Sequence, residues 1–397
     1  MKIILFAIII ISISSCIEEY NYENFVQDEK VLVIDGQILT NEVYQTVKIS
    51  WTTSPNYPVF NPVTNCLVFA EDMDGNLFNF EENAFFGNGI YRAEIPIDYL
   101  YFGNKFRLFV ETPDGKKFQS SFEELKACVA VDTITYDYLQ NNNKSQDGLA
   151  DGIKFNLNMK NQTGFSEFYR VMVNESWEYH TPWPIEKYVK ISYKGLSVEQ
   201  QPPDYSKQIC YRSLDLKNIY TVSFNNVSAV ENITKQLHAV TTETQRLKYR
   251  YSLLISQFSL TQQAYLYWED LRKASQVEEG IFGKTPINVK GNINCVTDAD
   301  VVALGYFGVS DVTTKRFFYN DIPEIEFYPF QFGCTPNEVI EKSFWATLGR
   351  LDKDDLPYYI PLNPSYDPTG YYLANQTCFD CRTAGGSLSV FDFWTKK

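Results

Sequence analysis

Eight cysteines and two histidines are the residues in this chain most able to do chemistry, and their surroundings sort them. Cys16 follows Ser14 and Ser15, behind Lys2 and an apolar run from Ile3 to Ile13. The run is too short to span a bilayer as a helix, which takes roughly 20 apolar residues. Its proportions are those of the apolar stretch of a cleaved export signal. Small residues just before a cysteine at this place form a lipobox pattern, in which a diacylglycerol is joined to the thiol and the chain is cut ahead of it. Residues 1–15 are therefore expected to be removed as a lipoprotein signal peptide. Cys16 would remain as the acylated first residue, holding the body to a membrane through its acyl chains.

An exported chain meets an oxidising compartment, so the other cysteines are first of all disulfide candidates. They are Cys66, Cys128, Cys210, Cys295, Cys334, Cys378 and Cys381, an odd number that leaves at least one unpaired or bonded to another chain. Cys378 and Cys381 have the spacing of half a zinc knuckle or of a redox pair. A structural zinc needs four ligands, and His180 and His238 are far off in sequence. A redox pair belongs on the first turn of a helix, whereas this pair lies in a Gly-rich tail. The expectation is a stapled tail, with Cys334 bridged to one of the two. The other would reach Cys210 or Cys295.

Catalytic signals are scarce. Neither histidine has a sequence neighbour that suggests a proton relay, and no nucleophile elbow, zinc-protease, phosphate-loop or dinucleotide motif occurs. The acidic stretches Asp147 to Gly152 and Asp298 to Asp300 resemble parts of calcium loops but lack the full ligand spacing. No enzymatic activity, metal or cofactor is expected. With 49 acidic against 35 basic residues and a net charge of −14, the chain has no basic patch. That argues against nucleic acid as a partner.

The elements that must position these residues are mostly strands. After a polar tether over 16–28, Val31 to Gly36 is a short apolar run ending in turn chemistry, and the alternating stretch Thr46 to Trp51 has the period of two expected of a half-buried strand. Asp74-Gly75 and Pro113-Asp114-Gly115 sit between further apolar runs as hairpin turns. Short strands at this spacing predict an Ig-like or transthyretin-like β-sandwich over 29–125. Residues 126–397 are expected to form a larger β-rich domain ending in the cysteine-stapled tail. Its one amphipathic helix is predicted near 260–276, with Ser259 as N-cap, Gln262 in a capping box, and Ala264, Tyr267, Trp268 and Leu271 as the apolar stripe. The fold class is thus mainly β.

Several stretches occur in a recognisable order: Val31 to Gly36, Gly89-Ile90-Tyr91, Gln263 to Trp268, Pro286 to Ile293, Ala303 to Ser310, Cys378 to Arg382, Gly385-Gly386-Ser387 and Phe393-Trp394. Together with the lipobox they resemble the Bacteroidetes lipoprotein family catalogued as domain of unknown function 4249. The chain departs from that family's usual pattern before the final Phe-Trp pair, where Phe391 and Asp392 replace a proline. The resemblance implies a surface lipoprotein of the outer membrane that accompanies a TonB-dependent, SusC-like receptor in nutrient capture or receptor assembly. A structural or adhesive surface lipoprotein is the alternative. Glu18 and Glu19, beside the lipid, resemble the acidic export signal of such surface proteins, and a solvated linker would carry the same residues.

If Cys16 is the acylated residue, Cys16→Ala should leave the precursor uncut or release the protein in soluble form. Fractionation under high salt checks this, and membrane retention equal to wild type would refute lipidation.

Overall fold

The computed structural model describes residues 30–54, 58–83, 85–139, 151–192, 195–225, 232–275, 289–319, 337–339, 371–373 and 376–395. Cys16, Glu18, Glu19 and Cys334 lie outside them. The protein is mainly β, as its alternating patterns predict.

The first sandwich begins with β1 (Leu32–Leu39), β2 (Tyr44–Trp51), β3 (Asn61–Pro62) and β4 (Leu67–Asp72). It continues with β5 (Leu77–Glu82), β6 (Ile90–Glu94), β7 (Lys105–Glu111), β8 (Lys117–Ser120) and the short β9 (Glu123–Glu124). Alternation decides the faces. In β1, Leu32, Ile34 and Ile38 point into the core, while Asp35 and Gln37 point out. The core they enter also holds Val47, Ile49, Phe106, Leu108 and Phe118, all nearly or fully buried.

The chain then builds a second body. This contains β10 (Thr133–Leu139), β11 (Gly152–Lys160), β12 (Phe168–His180), β13 (Ile185–Ser192), β14 (Gly195–Asp204) and β15 (Ile209–Asp215). After them come β16 (Tyr220–Ser223), β17 (Asn232–Thr241), β18 (Tyr251–Leu260) and the helix α1 (Gln262–Ser275). The strand order β10-β11-β17 forms one sheet, and β15-β12-β18 with a later strand forms the other. Phe155 and Leu157 from the first face Val171, Val173, Tyr251 and Leu253 from the second across a single core.

Residues after α1 return to the first sandwich, a feature outside the expected span 29–125. There β19 (Ile293–Cys295) pairs antiparallel with β8, and β20 (Ala303–Leu304) and β21 (Phe307–Ser310) pair parallel with β1. One returning segment therefore covers both exposed edges of the sheet, which is nearly closed in consequence. An uncovered strand edge invites pairing with another chain. The chain then crosses back as β22 (Val312–Tyr319), the outer neighbour of β18.

Two polar clusters fix the crossings. Glu123, almost wholly buried, accepts hydrogen bonds from Thr261 at 2.7 Å, from the Tyr306 hydroxyl and from Asn292 at 3.4 Å. Asp311 accepts from Thr40 at 2.6 Å and from the Cys128 backbone at 2.9 Å, and its own N–H donates to Ser259 at 2.9 Å. This corrects the helix start. Ser259 still lies in β18 and spends its hydroxyl on the Lys126 carbonyl, so Thr261 caps α1 by accepting from the Ala264 N–H at 3.2 Å.

The disulfide expectation meets a mixed outcome. Cys381 is bonded to Cys210, across a sequence separation of 171 residues. Closing so long a loop is worth about 5 kcal/mol in the chain-entropy picture. Cys378 is also disulfide-bonded. Cys295, a candidate partner, is instead a buried free thiol, because β19 places it in the first sandwich opposite Phe118. Cys66 and Cys128 are free as well. Beyond the bridge the tail bonds back onto the second body through Tyr211 and Ser387 and ends in α2 (Asp392–Thr395).

The return depends on close backbone passage. A Cβ on Gly305, whose φ is +100°, would stand 2.0 Å from the Ile34 carbonyl oxygen. Gly164 has a similar φ of +90° but nothing within 4 Å. Gly164→Ala should cost about 1 kcal/mol from backbone strain alone, whereas Gly305→Ala should cost about 3 kcal/mol or more. Urea midpoints measure both, and equal losses would show that the close passage does not matter.

Candidate functional site

The outward face of the first sheet carries a groove where β1, β2 and β6 run side by side. Register puts Asp35 opposite Lys48, Gln37 opposite Thr46, and Thr46 opposite Arg92. Period-two alternation thus sets a row of polar side chains across three strands. At one end the turn from Asn41 to Tyr44 forms a wall, and buried Gln45 shapes it from below. Its Oε1 accepts from the Leu39 N–H at 2.7 Å, and its Nε2 donates to the Leu39 and Glu42 carbonyls at 3.1 and 2.9 Å. The groove, half open to solvent, has a volume of about 410 Å³. That is within the range of small-ligand sites.

Asp35 and Gln37 also line a smaller recess of about 20 Å³ between the two bodies. Its inner wall is Arg170 from β12, which is only 8% exposed. The guanidinium lies 3.9 Å from the ring centre of Trp268 on α1 and 4.7 Å from that of Phe258, its partner across β18. Nη2 approaches the Met172 sulfur at 3.2 Å, while Nε has no hydrogen-bond partner. Burial pushes the Arg170 guanidinium down to about 10, against the pull of Asp35 and Tyr267. Surrounding protein also pushes the Asp35 carboxyl up, against Lys48 and Arg170. Asp35 keeps open contact with solvent, which limits that push. The groove offers both signs of charge to a ligand, from Asp35, Glu42, Lys48 and Arg92, while Arg170 stands beside it in a recess with room for about one water molecule.

Both histidines, which stand alone in sequence terms, have carboxylate partners. His180 Nε2 is 2.7 Å from Glu178, two residues away on the same face of β12, and its ring stacks on Tyr249. His238 is 3.3 Å from the fully buried Glu175, which also meets Arg246 and accepts from the Tyr251 hydroxyl at 2.9 Å. Burial pushes the Glu175 carboxyl up, but His238, Arg246 and Tyr251 outweigh it and hold it below the usual range. This cluster belongs to the core of the second body.

Among the described residues, no group of three or more His, Cys, Asp or Glu is placed to hold a metal ion. Asp298 and Asp300 form only a local turn, in which the Asp300 N–H donates to Asp298 at 3.1 Å. Cys210 and Cys381 lie together in the second body, while Cys295 lies in the first. Arg170, Lys48 and Arg92 were not singled out by the sequence. The only signal for them is that each charged residue sits in an otherwise β-forming stretch.

Among solved structures, the crystal structure of a lamprey immune protein aligns at 8% identity over 73% of this chain and 98% of that one. Its TM-score of 0.07 carries no argument about the fold. No curated protein matches the sequence. Residues 17–316 match the family described as a domain of unknown function, DUF4249, and that span takes in the first sandwich, the groove, the Arg170 recess and the returning strands. The chain belongs to that family.

Proposed function

We propose that the protein is a lipid-anchored accessory and binding protein of the cell envelope, acting beside a TonB-dependent, SusC-like outer-membrane receptor. The observation that carries the binding part is the groove of about 410 Å³, which shares Asp35 and Gln37 with the Arg170 recess. Its walls offer Asp35 from β1 and Glu42 from the turn before β2, beside Lys48 and Arg92. A zwitterionic or peptide-like ligand suits such walls better than an apolar one. The receptor part rests on the likeness of the sequence motifs to surface lipoproteins that accompany such receptors.

Copurification tests the association. Crosslinked outer membranes, solubilised in detergent, should yield a TonB-dependent receptor with this protein, identified by mass spectrometry. Recovery of the protein with no such receptor would refute the pairing.

Arg170 tests the groove. Replacing a buried, poorly paired charge with an apolar residue of similar volume is often neutral or stabilising. Arg170→Met should therefore keep the urea midpoint or raise it. A loss of more than about 3 kcal/mol would mean that the charge serves the fold rather than a ligand.

A further inference from the structure

The two ends of the first sandwich differ in what joins them. The N-terminal end of β1 lies beside the C-terminal end of β2, since Leu32 pairs with Trp51. Residues 52–54, 58–60 and 85–89 are at that same end, because β3 pairs with Ser50 and Trp51, and Lys48 pairs with Ile90. The segment 296–302 is there too, since β20 begins opposite Leu32. Both crossings to the second body, near Lys126 and Asp311, are at the opposite end, where Glu124 pairs with Lys105 and Ser310 pairs with Leu39. Lys30, where the tether joins, and the crossings to the second body thus lie at opposite ends of the first sandwich.

The tether end is also rich in exposed apolar side chains. Phe85 is 88% exposed, and Val59, Phe60, Phe86, Val296 and Val302 are exposed alongside it. Phe85 and Phe86 touch edge to face, at 5.3 Å between ring centres. Charges nearby carry both signs, as in the Lys116–Asp114 pair of the neighbouring turn. That favours neither an anionic nor a cationic surface. Exposure alone does not choose this end, because Met73, Ile97 and Phe102 are exposed at the other. The tether chooses. Residues 17–29 can reach at most about 45 Å even when fully extended. A lipid on Cys16 would therefore hold these side chains close to the bilayer.

We propose that this end, led by Phe60 and Phe85, seats in the interfacial layer of the membrane that carries the Cys16 lipid. The proposal rests on the lipoprotein reading above. Apolar side chains shallowly buried at the headgroup boundary add to the hold of the acyl chains. They also fix orientation, turning the second body outward.

Photocrosslinking from the full acylated chain in phosphatidylcholine vesicles tests it. A photoreactive phenylalanine analogue is placed at position 60 or 85, and at exposed Leu214 in the second body as a control. Phospholipid adducts at 60 and 85 should exceed those at 214 by about tenfold or more. Equal adducts at all three positions would overturn the proposal, as would crosslinks from 60 and 85 to a second copy or another protein in place of lipid. The mass of the native N-terminal peptide separates the two ideas. An acylated Cys16 with an unlabelled tip sinks the seating alone. A native chain without acyl mass on Cys16 sinks the lipoprotein reading and the seating with it.

Discussion

A buried carboxylate must be surrounded by donors or lose its charge, and Glu123 draws its donors from three separate stretches of chain. Thr261 opens α1, Asn292 precedes β19, and Tyr306 precedes β21. Asn292 also donates to the Phe307 carbonyl and accepts from the Phe307 N–H, so the same node sets the register of the returning segment. Desolvation still wins over these donors, and the Glu123 carboxyl stands above its ordinary value. Breaking such a cluster leaves stranded polar groups, each costing about 1–3 kcal/mol. The joint between the two bodies is therefore specified by polar geometry as well as by apolar packing.

The consequence is a first sandwich that is complete only when chain from beyond the second body returns to it. β19 covers one edge and β20 with β21 covers the other, so two aggregation-prone edges are closed by residues from 293–310. Close passage of backbones makes this possible. A Cβ at Gly291 would meet the Gly305 carbonyl oxygen at 1.8 Å, so the two glycines of neighbouring motifs serve the same crossing. The tail is held differently, by the Cys210–Cys381 bond. Gly386 fits there because a Cβ would meet the Tyr179 hydroxyl at 2.3 Å.

Local alternation was legible where each strand has one wet face. Thr46 to Trp51 place β2, and the turn residues Asp74-Gly75 place the hairpin of β4 and β5, whereas the turn expected at Asp35-Gly36 is absent because β1 runs through it to Leu39. The helix stripe was legible too, since Ala264, Tyr267 and Trp268 face inward. Its start was not, because a serine in a strand that ends at Leu260 looks like a cap when no partner is visible. The return of β19 to β21 could not be read locally, since those strands are short and their partners lie far off in sequence. The groove was hidden for the same reason. Lys48 and Arg92 become neighbours of Asp35 only through register. The pairing of His180 with Glu178 was within reach, because residues two apart on a strand share a face.

Strand β12 carries both kinds of buried charge, and the contrast between them bears on where function lies. Glu175 faces the inter-sheet core, where Arg246, His238 and the Tyr251 hydroxyl surround it and keep it ionised. Five residues earlier, on the other face, Arg170 has ring faces and a sulfur about it, an unpartnered Nε, and Asp35 only at a distance. A core built for stability alone would resolve such a charge as it resolves Glu175, with donors and acceptors of its own chain. Arg170 instead borders a recess that shares Asp35 and Gln37 with the larger groove. The recess has room for about one water molecule, and any acceptor placed in it would pair the Nε that the fold leaves without a partner, in surroundings whose low polarity strengthens the bond.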